Sequence, residues 1–208
     1  MEVIETSSGE KIWLLPVIRG LESERETVRR AFDKSRTKAL AISTSKEELK
    51  ALQEYDGEEV QPSNFEEEIY MEFLSKFGKV SKPPPCFLEA RDLAKEKKLR
   101  FFALDLDDDD FTEAYVTSVS TIEMMTQSMS QNRMRRRRFK AKTPEEFVLE
   151  FDALINRKKG FRRLEKSREE HIAKRISELT KGCSSLLAVI EMERIAGVKQ
   201  SLPNYLPR

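Results

Sequence analysis

"SREEHIAKRISELTKGCSSLLAVIEMERIAGV", from Ser167 to Val198, decides how the rest of the chain is read. An amphipathic helical pattern leads into a turn of glycine, cysteine and serines, and then into the apolar run Ser185–Met192. Near-continuous apolarity without alternation marks a strand covered on both faces. Three other runs share it: "IWLLPVI" (Ile12–Ile18), "ALAIST" (Ala39–Thr44) and "LRFFALDL" (Leu99–Leu106). Helical patterns separate these runs. The expected fold class is therefore α/β, with a central, mostly parallel sheet of four or more strands flanked by helices. In such sheets ligands bind at the carboxyl ends of the strands. Here the last strand exits into Glu191, Met192, Glu193 and Arg194, with no glycine loop, histidine or cysteine.

Composition narrows the classes. Of 208 residues, 36% are charged and 38% hydrophobic, and the apolar residues come in blocks that suffice for one core. A formal net charge of +1 gives no global field toward nucleic acid or a membrane surface. Cys86 and Cys183 are far apart and outside metal-ligand spacing, which suits a reducing compartment without disulfides. The opening "MEVIETSSGEKIW" has no basic segment followed by an apolar run, and no apolar run approaches the ~20 residues of a membrane helix. The expectation is a soluble, cytoplasmic, single-domain protein without a membrane span, carrying a helical insertion over residues 107–160. The Lys, Glu and Arg content also suits a thermophilic source.

The helices follow from spacing and caps. Glu22 to Lys34 places Val28, Ala31 and Phe32 on one face, and Ser45 is a cap candidate for a helix from Lys46 to Tyr55. Ser63 with Glu66 reads as a capping box ahead of Ile69, Phe73, Leu74 and Phe77. After Pro83-Pro84-Pro85 a helix runs from about Cys86 to Lys98, with Phe87, Ala90, Leu93 and Ala94 inward. Thr143 with Glu146, and Pro144 in the first turn, open a helix whose apolar face is Phe147, Phe151, Leu154 and Ile155. A further helix from about Arg163 turns Leu164, Ile172, Ile176 and Leu179 inward. His171, the sole histidine, has no second His or Cys at i+4 and reads as a surface residue rather than a ligand.

Residues 107–139 open on four aspartates and close on Arg133, Arg135, Arg136, Arg137 and Arg138. Acidic residues stabilise a helix N-terminus and basic ones a C-terminus, each by ~0.3–1 kcal/mol. One helix of about thirty residues would place both runs correctly. Met124, Met125, Met129 and Met134 are adaptable packing residues, and they suggest self-association, as a dimer, through this segment. For the arginines, a solvated helix end or a contact with acidic protein surface is favoured over nucleic acid, since no aromatic interleaving or basic face accompanies them.

The order of these elements resembles the TraB/PrgY-like family, part of a larger group with Tiki-type metalloproteases and erythromycin-esterase-like enzymes. "KIWLLPVIRGLESERETVRRAF" is similar to the family's opening strand, G-T-x-H-V turn and helix. "FLEARDLAKEKKLRFFALD" resembles its helix and strand ending in an Asp-Arg-Asp-type element, with Asp105 and Asp107 on the acidic positions. The stretch Ser167–Val198 resembles the E-R-D-x-x-M/I-A helix and the V-V-G-x-G-H-x-x-G-I ending, matching at Arg168, Ile172, Ala173, Ile190 and Gly197.

The departures are specific. Arg19 and Arg194 stand at the family's two histidines, Ser43 at its carboxylate after the second strand, and Leu106 at an arginine. The resemblance makes those histidines and that carboxylate the metal ligands and catalytic groups. Arginine cannot replace histidine there, because it stays protonated and offers only donors. The expectation is no metal, no cofactor and no catalytic residue. What the resemblance gathers at the strand exits is Arg19, Ser43, Asp105, Glu191, Glu193 and Arg194. An ion-pair network closing a disused cleft is the favoured reading of that cluster. A site for an anionic ligand, built on two arginine forks, is the alternative. Hydrolysis by the acidic pair ranks last, because Glu191 and Glu193 would alternate along a strand and point to opposite faces. Three roles stay open: a catalytically silent family member acting by binding or self-association, a divergent metal-independent hydrolase, and a nucleic-acid-associated protein using the arginine run.

Overall fold

The computed structural model describes residues 1–58 and 60–206, and at 130–133 the backbone only. All four apolar runs form strands: β2 (Lys11–Val17), β3 (Ala39–Ile42), β4 (Arg100–Ala103) and β5 (Ser185–Glu191). With a short N-terminal strand β1 (Glu2–Glu5) they make one sheet in the order β1-β2-β5-β3-β4. β5 is the centre, parallel to β2 on one side and to β3 on the other, and β3 is parallel to β4. The mostly parallel α/β sheet of the sequence is thus the observed one. β1 is an addition, paired antiparallel to β2. Its sequence, EVIE, is too short and too charged to give a period.

Helices cover both faces. On one face α1 (Glu24–Ser35), α2 (Lys46–Glu54) and α4 (Pro85–Glu96) bring Val28, Phe32, Leu52, Phe87 and Leu93 against Leu15, Leu40, Ile42 and Val189. On the other, α8 (Lys159–Thr180) and α9 (Met192–Ser201) bring Ile172, Ile176 and Val198 against Ile12, Leu14, Ala41 and Ile190. Double coverage is why these strands are apolar at successive positions. The chain closes on a 3-10 turn, Leu202–Asn204, with Leu202 in that second core.

A third apolar cluster lies past the carboxyl ends of the strands. α3 (Phe65–Leu74), α6 (Thr121–Arg135) and α7 (Pro144–Ile155) contribute Ile69, Tyr70, Leu74, Met134, Phe147 and Phe151, packed on Ile18 and Leu21 just after β2. The Phe147 ring meets the rings of Tyr70, Phe73, Phe77, Phe139 and Phe151 at 5.1–6.3 Å, a set of tilted, edge-on and stacked contacts. This aromatic cap roofs the strand exits.

Two local expectations need correction. The cap of α3 is Asn64, whose side chain accepts from the Glu67 backbone N–H at 2.9 Å, one residue later than the Ser63–Glu66 reading. Residues 107–139 form two helices, α5 (Asp108–Ser118) and α6, not one. Ser120 restarts the chain with a capping box: its side chain accepts from Glu123 N–H, and Glu123 returns to the Ser120 backbone at 3.0 Å. Glu123 also accepts the Gly160 N–H of the first turn of α8 at 2.8 Å, so one carboxylate caps two helices. A Cβ at Gly160 would lie 2.8 Å from the Ser118 carbonyl, so the approach requires glycine. At the start of α5, Asp107 is the cap, accepting from Asp110 N–H at 3.0 Å, with three further aspartates in the first turn. Among the described residues, no helix is long and apolar enough to cross a membrane.

Candidate functional site at the strand exits

β5 passes into α9 without a loop: Glu191 ends the strand with ψ 139° and Met192 begins the helix. Glu193 therefore lies in the first turn of α9 and not on a strand. This corrects the expectation that Glu191 and Glu193 point to opposite faces, and both line the same cavity. A helix N-terminus favours negative charge, which suits two carboxylates here.

Glu191 is fully committed. The Ser43 hydroxyl donates to its Oε2 in a short bond, and the Glu191 N–H donates to Ser43 Oγ at 3.2 Å. Arg194 Nη1 lies 2.9 Å from its other oxygen. Burial alone would raise the Glu191 pKa, but the charges of Arg194 and Arg19 and the Ser43 bond hold it below the ordinary carboxylate range. Arg194 also reaches Glu165 of α8 at 3.1 Å, and the same Glu165 sits 2.9 Å from Arg168. Arg168 forks onto Asp105 just after β4, Nε to Oδ1 at 3.3 Å and Nη2 to Oδ2 at 2.5 Å. Burial opposes ionised Glu165, but Arg194 and Arg168 outweigh it and its pKa is lowered. Ser43, Glu191, Arg194, Glu165, Arg168 and Asp105 thus form one continuous network that ties β3, β4, β5, α8 and α9 together.

Arg19 is different. It follows β2 between buried Ile18 and Gly20, whose φ of 111° is open to glycine and strained for other residues. Among the described residues its guanidinium makes no hydrogen bond or ion pair. Burial would lower its pKa, but the charges of Glu191 and then Glu193 raise it, so it remains a cation. Its neighbours share its isolation: the Tyr70 hydroxyl and Glu193 Oε2 are buried without a hydrogen-bond partner. Burial, then the nearby Glu191 charge, pushes the Glu193 carboxyl up to about 7, against the pull of Arg194.

These groups face a cavity of about 910 Å3. Its floor is the paired network, except Asp105, which sits behind Arg168 and does not line it. Its walls come from the three apolar clusters that meet here: Leu52, Tyr55 and Phe87; Val148, Phe151 and Ile155; Tyr115, Met124, Phe161 and Leu164. Lys82 lines it too, bound to Glu67 at 2.6 Å. The expectation of a closed, salt-bridged cleft therefore describes the floor and leaves out the open volume above it. Sequence reasoning missed Tyr70, Glu165 and Arg168. Glu165 and Arg168 carry an i, i+3 pairing signal on α8, whereas Tyr70 carries none.

The remaining candidates lie elsewhere. On α6, Met124 faces the cavity, while Met125 and Met129 are 62% and 77% exposed and share a stripe with Ile122, 74% exposed. The Arg133 side chain lies outside the described residues. Arg135 meets Glu68 at 2.5 Å and rests over the Phe65 ring, and Arg137 stands 3.9 Å from Glu150, so part of the arginine run is spent on this chain's own acidic surface. Arg136 and Arg138 are exposed. His171 is half-buried on α8, its pKa lowered by burial despite Asp105 and Asp110.

The metal that the family resemblance implies does not fit these residues. Two of the three positions concerned are guanidiniums, one of them locked between Glu191 and Glu165, and the third is a hydroxyl committed to Glu191. Among the described residues no three His, Cys, Asp or Glu side chains are grouped to hold a metal ion. Neither a family model nor a curated protein matches the sequence.

Proposed function

We propose that this chain is a TraB/PrgY-like protein that has kept a strand-exit cavity without the family's metal chemistry and uses it to bind an organic anion. The observation that carries the reading is Arg19: a cation facing a cavity of about 910 Å3 with no ion pair among the described residues, beside an arginine that has two. A volume of that size suits a ligand of several hundred daltons. An arginine fork is the side chain best shaped for a planar oxyanion. Catalysis by a carboxylate dyad is disfavoured, because Glu191 is held by Ser43 and Arg194, and of the two Glu193 alone keeps an oxygen without a hydrogen-bond partner. Calorimetric titration with butanoate tests the reading. The expected result is one site whose binding disappears in Arg19→Met; equal binding by that variant overturns it.

Self-association is a second reading, favoured by the exposed stripe of Ile122, Met125 and Met129 at i, i+3 and i+7 on α6. Light scattering tests it. A dimer that becomes a monomer in the double variant Met125→Lys, Met129→Lys supports it, and a monomeric parent chain rejects it.

A further inference from the structure

Resting on that reading, we infer that the ligand is an amphiphile with one carboxylate head and an apolar body of roughly eight carbons or an aromatic ring. The head is defined by what converges on it. Arg19 offers guanidinium donors, and the buried hydroxyl of Tyr70, without a partner among the described residues, offers one more. A buried hydroxyl left unbonded has lost its water without replacement, so a ligand oxygen accepting from it restores a missing bond.

The charge of the head follows from the rest of the lining. Seven carboxylates line the cavity (Glu48, Glu66, Glu67, Asp152, Glu165, Glu191, Glu193) against four cations (Arg19, Lys82, Arg168, Arg194). Three of those cations are already paired within the chain. One unpaired guanidinium can neutralise a single negative charge, and the surrounding carboxylates repel more. A di- or triphosphate is therefore the wrong ligand, as is any polyanion.

The body follows from the walls. Beyond the polar floor the cavity is bounded by Phe111, Tyr115, Met124, Phe161 and Leu164 on one side and Val148, Phe151 and Ile155 on the other. These are side chains from α5, α6, α7 and α8 that would otherwise pack on one another. A carboxylate with no apolar body would leave exposed Phe111 and half-buried Tyr115, Met124 and Ile155 facing water, whereas an acyl chain or ring covers them.

The experiment is a calorimetric series of butanoate, hexanoate and octanoate, with octylamine and pyrophosphate as comparators. Each added methylene is expected to tighten binding roughly two- to fourfold at one site per chain. Octylamine and pyrophosphate are expected to bind at least tenfold more weakly than octanoate. Phe111→Ser, at a wall residue 36% exposed, is expected to reduce the chain-length dependence. If butanoate binds through Arg19 but longer acids bind no better, the amphiphile is wrong and the anion site stands. If octylamine binds as well as octanoate, or pyrophosphate binds better, the single-carboxylate head is wrong. If no acid binds, both readings fail.

Discussion

Arg19 and Arg194 follow adjacent parallel strands, β2 and β5, and their surroundings are opposite. Arg194 has Glu191 one turn behind it and Glu165 across the α8 interface, at 2.9 and 3.1 Å. Arg19 also has a glutamate at i+3, but Glu22 is turned toward Arg25 and the Ser81 hydroxyl, at 3.3 and 2.7 Å. The difference comes from backbone direction. After β5 the chain enters a helix at once, so residues three apart share a face. After β2 it turns through Gly20 and runs away along α1, taking its carboxylates with it. The same residue type is a structural tie at one exit and an open contact point at the other.

The comparison can be broken at several points. Arg168→Met removes the fork on Asp105, a carboxylate only 6% exposed, and leaves that buried charge without its ion pair, held by the Leu106 N–H at 2.9 Å. Denaturant unfolding should show a loss of about 3–5 kcal/mol. A loss under 1 kcal/mol would mean that the floor network adds little to stability.

Ser43→Ala strips Glu191 of its hydroxyl donor while keeping Arg194 in place. The expected cost is about 1–3 kcal/mol, measured in the same way.

Glu193→Gln sharpens the contrast through pH. Glu193 keeps its proton to about 7 in the folded protein, against 4.5 when exposed in the unfolded chain. Between those values the folded state binds more protons, so stability falls as pH rises through the interval and levels off above it. Facing Glu193 are Glu191 and Arg194 on its own strand-helix junction, Arg19 after β2 and Tyr70 on α3. Asp152 of α7 and Glu165 and Arg168 of α8 line the same cavity, and Glu169 of α8 lies against Gly197 of α9. The variant should flatten part of the slope, by an amount on the order of 1–3 kcal/mol across the window. Glu24 and Glu169, also raised to about 7, keep the remainder. Glu191 acts with the opposite sign: its contribution is complete above 4.5 and is lost as pH falls through its lowered pKa. A pH profile unchanged by Glu193→Gln would remove Glu193 from the account.

The smallest expected effect is Arg135→Ala. Its pair with Glu68 has both partners about half exposed, and solvated pairs contribute about 0.2–1 kcal/mol. Thermal unfolding should move little and should move less at high salt.

Much of the fold was legible because double burial leaves an unmistakable mark: IWLLPVI, ALAI, FFAL and SLLAVI are apolar on both faces and became strands. The exits were legible for the same reason, since they are simply where those runs stop. The break at Val119–Ser120 was present in the letters as S-T-I-E, but the aspartates and arginines at either end of the segment suggested a single dipole. The cap before α3 was ambiguous in principle, because Ser63 and Asn64 each precede a glutamate at three residues. Two things had no local signal at all, unlike Glu165 and Arg168 with their i, i+3 spacing. Tyr70 enters the site only through the docking of α3, and the lack of an ion pair for Arg19 among the described residues depends on where Glu22 turns.

Equilibrium urea unfolding of Arg19→Met beside Arg194→Met, each with and without saturating octanoate, tests the asymmetry most directly. Arg194→Met should lose about 3–5 kcal/mol, having left buried Glu191 without its ion-pair partner and Glu165 with Arg168 alone. Arg19→Met should stay within about 1 kcal/mol of the parent chain or gain stability, and octanoate should stabilise the parent chain but not this variant. Equal losses in the two variants, with octanoate stabilising both or neither, would contradict the account.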